Sequence, residues 1–101
     1  MAAPRLEVAR ETLEALCRRW KVRQLSLFGS VLRDDFGPDS DVDVLVEFLP
    51  DGVPSLFTIQ DLEQELSAVF GGRAVDLVTP GALHPLLRER ILADAQVQFA
   101  A

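Results

Sequence analysis

Three observations predict an α/β (α+β) domain built on one small sheet flanked by helices. Apolar residues recur at spacings of three and four in three separate stretches. Short apolar or β-branched runs lie between them, bounded by Gly, Pro and Asp. The 101 residues, 49% hydrophobic and 26% charged, suit one soluble globular domain spanning 1–101.

The elements follow in order. Leu6, Ala9, Leu13, Leu16 or Cys17, and Trp20 predict an amphipathic helix over residues 4–20, with Pro4 in its first turn. Gln24 to Phe28 is a short strand stopped by Gly29-Ser30, and Val31 to Asp39 reads as a short helical turn and a loop through Gly37-Pro38. Val42 to Phe48 is a β-branched, apolar strand broken by Pro50-Asp51-Gly52. Leu56, Ile59, Leu62, Leu66, Val69 and Phe70 trace a second helix, with Ser55 as its N-cap and Gly71-Gly72 as its stop. Ala74 to Val78 is a third strand. Leu83, Leu86, Leu87, Ile91, Leu92 and Ala95 mark a last helix, followed by an apolar tail through Val97 and Phe99. Phe28, Phe48, Phe57, Phe70 and Trp20 are expected in the core, and His84 before Pro85 reads as a turn residue at a helix entry.

Charge is unevenly placed. The net −6 argues against a general nucleic-acid binder, which would show a basic surface. Residues 1–33 hold seven bases and three acids, residues 34–72 ten acids and no base, and residues 73–101 three of each. The deficit is therefore one central block, densest between Asp34 and Asp51. Its acids alternate with Val42, Val44, Leu45, Val46 and Phe48, so it is no disordered tail. Arg18, Arg19, Lys21 and Arg23 form a basic helix end, expected in solvent. No apolar run approaches the ~20 residues that cross a bilayer, and the N-terminus, with Arg5, Glu7 and Arg10, lacks the apolar core of a signal peptide. No membrane association and a cytoplasmic location are the expectation. Cys17 stands alone, which excludes a disulfide framework and suits a small core residue.

The chemistry concentrates in two motifs. Gly29-Ser30 closes a strand and opens a short helix, and ten residues later Asp41-Val42-Asp43 opens the next strand. Positions i and i+2 of a strand share a face, so Asp41 and Asp43 project together. Carboxylates that close repel unless a cation or proton neutralises them, and such hard oxygens suit Mg²⁺ shared with substrate phosphates. Asp76 lies inside the apolar run Val75 to Val78, where a carboxylate is costly unless it faces a polar site. If that strand neighbours Val42 to Phe48, Asp76 completes a three-carboxylate metal site. The Gly29 backbone and Ser30 hydroxyl suit bound phosphates, with Arg33 one turn on as a pairing cation. Other acidic motifs fail on context. A calcium loop starting at Asp39 would need Gly and Glu where Val44 and Pro50 stand, and an aspartyl-nucleophile phosphatase carries its apolar strand before the Asp pair.

Gly29-Ser30-Val31-Leu32-Arg33 followed by Ser40-Asp41-Val42-Asp43-Val44-Leu45-Val46 resembles the polymerase-beta-type nucleotidyltransferase signature. The short chain resembles the minimal nucleotidyltransferases, many of them antitoxins paired with HEPN-domain ribonucleases. Leu32 and Asp34 stand where that family usually has a small residue and Gly. The resemblance implies the polymerase-beta-like fold with a small mixed sheet. It implies that Gly29 and Ser30 grip a nucleoside triphosphate, that Asp41 and Asp43 bind metal, and that Asp76 is the third carboxylate, activating the attacking hydroxyl. The expected cofactor is Mg²⁺, two ions, with ATP or another NTP as substrate. The expected reaction is AMP transfer to a tyrosine of a partner HEPN toxin. Two readings compete with it: an antitoxin that neutralises its partner by binding alone, and a nucleotide sensor without turnover.

Overall fold

The computed structural model describes residues 8–33, 36, 37, 39–52 and 55–101, and the backbone alone of Leu56. Pro4, Arg5, Leu6, Glu7 and Asp34 lie outside the described residues.

The described chain holds three α-helices and four strands: α1 Arg10–Arg19, β1 Val22–Phe28, β2 Val42–Phe48, α2 Leu56–Val69, β3 Val75–Val78, α3 Pro85–Asp94 and β4 Gln96–Ala100. A 3₁₀ turn, Gly29–Leu32, follows β1 directly. The strands form one mixed sheet in the order β3-β2-β1-β4. β1 runs antiparallel to β2 and β4, while β2 and β3 are parallel and joined through α2.

Local chemistry accounts for the helices. α1 carries Glu11 in its first turn and Arg18 and Arg19 in its last, both favourable to the helix dipole. Ser55 caps α2 by accepting the Thr58 N–H. At the other end Gly71 and Gly72 take φ of +76° and +86°, and the Gly72 N–H reaches back to the Ser67 carbonyl at 2.7 Å. That bond closes the helix in a Schellman-type turn, which a left-handed glycine permits.

Strand alternation divides the sheet into two faces. Leu25 pairs with Val46 and Leu27 with Val44. Together with Phe99 of β4 and Leu77 of β3 they meet Leu13, Leu16 and Cys17 of α1 and Leu62, Leu66 and Phe70 at α2 in one buried core. Each fully buried side chain of this size contributes about 1.5–3 kcal/mol. Cys17 is completely buried, as the lone-cysteine reading required, and burial pushes its thiol up to about 12. Gln24, Ser26, Phe28, Asp43, Leu45, Glu47 and Asp76 alternate with the core residues along their strands and belong to the opposite face.

Several expectations change. The apolar tail is a strand: Gln96–Ala100 adds to the free side of β1, with Phe99 opposite Leu25. Phe57 is 76% exposed and stands outside the core. The apolar positions of α3 also leave the core, with Leu86 at 86% and Leu87 at 52% exposure. The C-terminal end of α3 instead lies over the second sheet face, where Leu92 and Ala95 line a small hollow with Ser26 and Leu45. His84 is the N-cap of α3, its Nδ1 accepting the Leu86 N–H at 3.2 Å. Trp20 is half-buried, and its indole N–H and the Arg19 guanidinium both reach the Glu65 carboxylate, clamping α1 to α2. Lys21 pairs with Asp51 at 3.0 Å, so two of the four basic residues around the end of α1 are used within the chain. Among the described residues no helix is long and apolar enough to cross a membrane.

Candidate functional site

The second sheet face gathers the predicted residues around one side chain. Asp43 lies on β2, opposite Phe28 of β1 on one side and Asp76 of β3 on the other. Antiparallel pairing with β1 brings the turn that follows Phe28 against Asp43. Gly29 adopts φ +75°, and a Cβ built there would overlap the Asp43 carboxylate. Glycine is thus required twice, for its left-handed backbone and for space. The Ser30 backbone N–H donates to the Asp43 carboxylate.

Parallel pairing of β2 with β3 puts Asp43 and Asp76 in the same register. Asp76 is exposed and Asp43 is half-buried. Burial pushes the Asp43 carboxyl above its ordinary value, and the Asp76 and Asp41 charges push the same way. The Ser30 N–H and the Arg33 charge pull it back without cancelling the rise. The structure therefore brings Gly29, Ser30, Arg33, Asp41 and Asp76 to bear on Asp43.

Asp41 is exposed and immediately precedes β2. Its position is held from both sides. Val42 donates its N–H to the Ala74 carbonyl at 2.8 Å. On the other side Gly37 and Ser40 bond each other twice, Gly37 N–H to Ser40 Oγ at 3.0 Å and Ser40 N–H to Gly37 O at 3.1 Å. Arg73 ties this turn to the start of β3: its guanidinium donates to Gly37 O at 2.7 Å and lies 4.4 Å from the centre of the Phe36 ring. Sequence reasoning missed this clamp. The one available signal was that Arg73 is the first base after the acidic segment 34–72.

The donor set consists of hard carboxylate oxygens. Among the described residues no three His, Cys, Asp or Glu side chains converge closely enough to enclose an ion unaided. Carboxylate oxygens are the ligands Mg²⁺ takes, typically one or two from protein with phosphates and water completing its shell. Repulsion and burial at Asp43 are what a divalent cation would relieve.

Beside the turn, a groove of about 650 Å³ separates Phe28, Gly29 and Leu32 from Leu87 and Ile91 of α3. Arg33 and Arg90 also line it. Sequence reasoning missed this feature too, because periodicity marks a last helix without saying where that helix lies over the sheet.

Residues 9–97 match the family model described as the nucleotidyltransferase domain. The chain belongs to the nucleotidyltransferase domain family. A Thermococcus cleftensis relative named protein adenylyltransferase MntA is 39% identical over 79 residues, covering 78% of this chain and 77% of the relative. A Methanocaldococcus jannaschii relative, named as a candidate protein adenylyltransferase, is 39% identical over 89 residues, covering 88% of this chain and 91% of its own length. A solved structure described as a minimal nucleotidyltransferase superposes with a TM-score of 0.69 at 37% identity, covering 85% of each chain. A toxin–antitoxin complex with AMP-PNP shares the fold with a TM-score of 0.72 at 20% identity, covering 93% of this chain and 75% of its own. The mixed sheet flanked by helices is thus the fold of the minimal nucleotidyltransferases.

Proposed function

We propose that this chain, working as one minimal domain in the cytoplasm, transfers AMP from Mg-ATP to a tyrosine hydroxyl of a partner HEPN toxin and so acts as its antitoxin. The observation that carries the reading is the junction at Asp43: a carboxylate with a raised pKa, set against a glycine-opened turn and in register with Asp76. The names of the relatives support the reaction class, since two of them are named for protein adenylylation. One structural neighbour describes a tri-AMPylated HEPN toxin of Shewanella oneidensis in complex with an MNT antitoxin, at 20% identity and a TM-score of 0.64.

In this reading the acceptor oxygen attacks the α-phosphorus, forming a P–O bond as the bond to pyrophosphate breaks. Asp41, Asp43 and Asp76 would hold two Mg²⁺ ions, whose charge offsets that of the phosphates in an in-line displacement. Gly29 leaves room for the Asp43 carboxylate against the turn, and the Ser30 hydroxyl donates to the phosphate oxygens. Arg33 pairs with phosphate charge. Asp76, exposed at the sheet edge, takes the proton of the attacking hydroxyl.

The test is the intact mass of the co-expressed partner after incubation with the purified chain and Mg-ATP. The expected result is the mass of one or more AMP groups, lost with Asp41→Asn or Asp43→Asn. An unchanged partner mass, with the partner still neutralised by both variants, would replace this reading with antitoxin action by binding alone.

A further inference from the structure

We propose that Glu63 of α2 is a positioning residue for Asp76, acting through the peptide that joins Asp76 to Leu77. The inference rests on the nucleotidyl-transfer reading above, in which Asp76 takes the proton of the acceptor hydroxyl, and adds the group that aims it.

The need for such a residue follows from where Asp76 stands. β3 is four residues long and forms one edge of the sheet, with β2 as its neighbour. A short edge strand opens more readily than an inner one. Asp76 is exposed, so its carboxylate is aimed chiefly by its own backbone. Backbone groups of a strand point alternately to its two sides. Ala74 turns its carbonyl to β2, where it accepts the Val42 N–H at 2.8 Å. Asp76, two residues on, faces β2 in the same way, and the N–H of Leu77 is directed outward, where the sheet ends.

Glu63 stands in for the missing strand. The Leu77 N–H donates to Glu63 Oε2 at 3.1 Å, and an ionised acceptor makes that bond a strong one. The Asp76–Leu77 peptide is therefore gripped on both sides, its carbonyl directed to β2 and its N–H held by Glu63. Rotation of this peptide plane changes ψ of Asp76 and with it the direction of the carboxylate. Glu63 is half-buried on the helix that crosses from β2 to β3, beside the buried Leu62 and Leu66. It also lines an open hollow with Gln60, Gln64 and Ser67, so solvent reaches its remaining lone pairs and its charge is not sealed in. α2 packs on the core face of the sheet, whereas Asp76 belongs to the opposite face. The action of Glu63 on Asp76 thus runs through the backbone.

Two variants of the full chain test this. Glu63→Gln keeps an acceptor oxygen at the same reach, and Glu63→Leu removes it. Both discard the charge, so the difference between them reports the acceptor alone. Both residues are good helix formers, so both variants are expected to fold, which circular dichroism checks. AMP transfer to the co-expressed partner is measured at saturating Mg²⁺, below the melting temperature of each variant. The leucine variant is predicted to lose on the order of tenfold in kcat, with KM for ATP unchanged. Its Leu77 amide is predicted to exchange with solvent on the order of tenfold faster. The glutamine variant restores both readouts. A role confined to stability would lower Tm and leave kcat of the folded chain alone. The proposal is overturned if Glu63→Leu keeps the wild-type kcat, if Glu63→Gln loses as much as Glu63→Leu, or if KM for ATP rises while kcat holds. A wild-type chain that transfers no AMP, with its Leu77 amide still protected, overturns the nucleotidyl-transfer reading itself, and this inference with it.

Discussion

Asp43→Asn should stabilise the metal-free chain while abolishing its response to Mg-nucleotide. The physical basis is the pairing of Asp43 with Asp76 across adjacent strands, which sit about 4.8 Å apart. Two unit charges about 5 Å apart repel by roughly 0.8 kcal/mol in a water-like dielectric and about 3 kcal/mol at an effective dielectric near 20. Asp76 is exposed, so the lower end applies, and half-burial of Asp43 adds a desolvation cost. A net gain of about 1 kcal/mol follows, equivalent to roughly 4–8 °C in Tm for a domain this size. The asparagine carbonyl can still accept the Ser30 N–H, so that contact is kept. The Arg33 attraction is lost, but it is the smallest of the influences on Asp43.

The pH dependence has a definite sign. Asp43 holds its proton more tightly folded than unfolded, its folded pKa lying above the ordinary 3.8. Wild-type stability therefore falls as pH rises from about 3.8 through the raised folded value. The advantage of the variant is full at neutral pH and closes on acidification. Thermal melts in EDTA across pH measure it directly. Saturating Mg-nucleotide should reverse the order at neutral pH, because ligand at about 100 times its Kd stabilises by about 2.7 kcal/mol and only wild type binds it. An Asn variant less stable than wild type in EDTA at neutral pH, or a gap that widens on acidification, would refute the reasoning.

Other outcomes follow from single contacts. Gly29→Ala places a Cβ on the Asp43 carboxylate at φ +75° and should cost about 1–3 kcal/mol, with loss of Mg-nucleotide binding by calorimetry. Arg73→Ala releases the Gly37 carbonyl and the Phe36 ring. It should raise the half-saturating Mg²⁺ concentration several-fold while kcat at saturating Mg²⁺ changes little. Ser55→Ala removes the α2 cap and should lower stability by about 1 kcal/mol in urea titrations. Cys17, buried with its thiol pushed up to about 12, should react with iodoacetamide at neutral pH only at the rate of unfolding.

The parts of the fold legible in the sequence are those with a local cause. Val42 to Phe48 reads as a strand because its composition is β-branched and apolar, and the strand has those bounds. Ser55 and Gly71-Gly72 bracket α2 through cap and left-handed turn chemistry that any helix obeys. β4 has no such cause. Only Ala95 separates it from α3, and pairing with β1 rather than local propensity makes it a strand. The leucines of α3 show why periodicity is incomplete evidence: it identifies a helix and its stripe but not what covers the stripe.

At the site, the i, i+2 expectation for Asp41 and Asp43 takes both to be on the strand, whereas β2 begins at Val42 and Asp41 stands just before it, with its charge acting on Asp43. The link from Asp43 to Asp76 depended on β2 and β3 being neighbours, a condition the parallel register meets. The Arg73 clamp on Gly37 joins residues 36 apart, and no local pattern announces it. The groove beside Gly29 depends on where α3 lies over the sheet, which is likewise a tertiary outcome.

The central claim is that an adenylyl group, and not a phosphoryl group or nothing, leaves ATP at Asp41, Asp43 and Asp76. Incubation of the chain and its co-expressed HEPN partner with ATP labelled at the α-phosphorus, and in parallel at the γ-phosphorus, tests it most directly. The account predicts α-label on the partner in step with γ-labelled pyrophosphate released, both Mg²⁺-dependent and both lost in Asp43→Asn. Label on the partner from the γ-position, or none from either in the wild type, would contradict it.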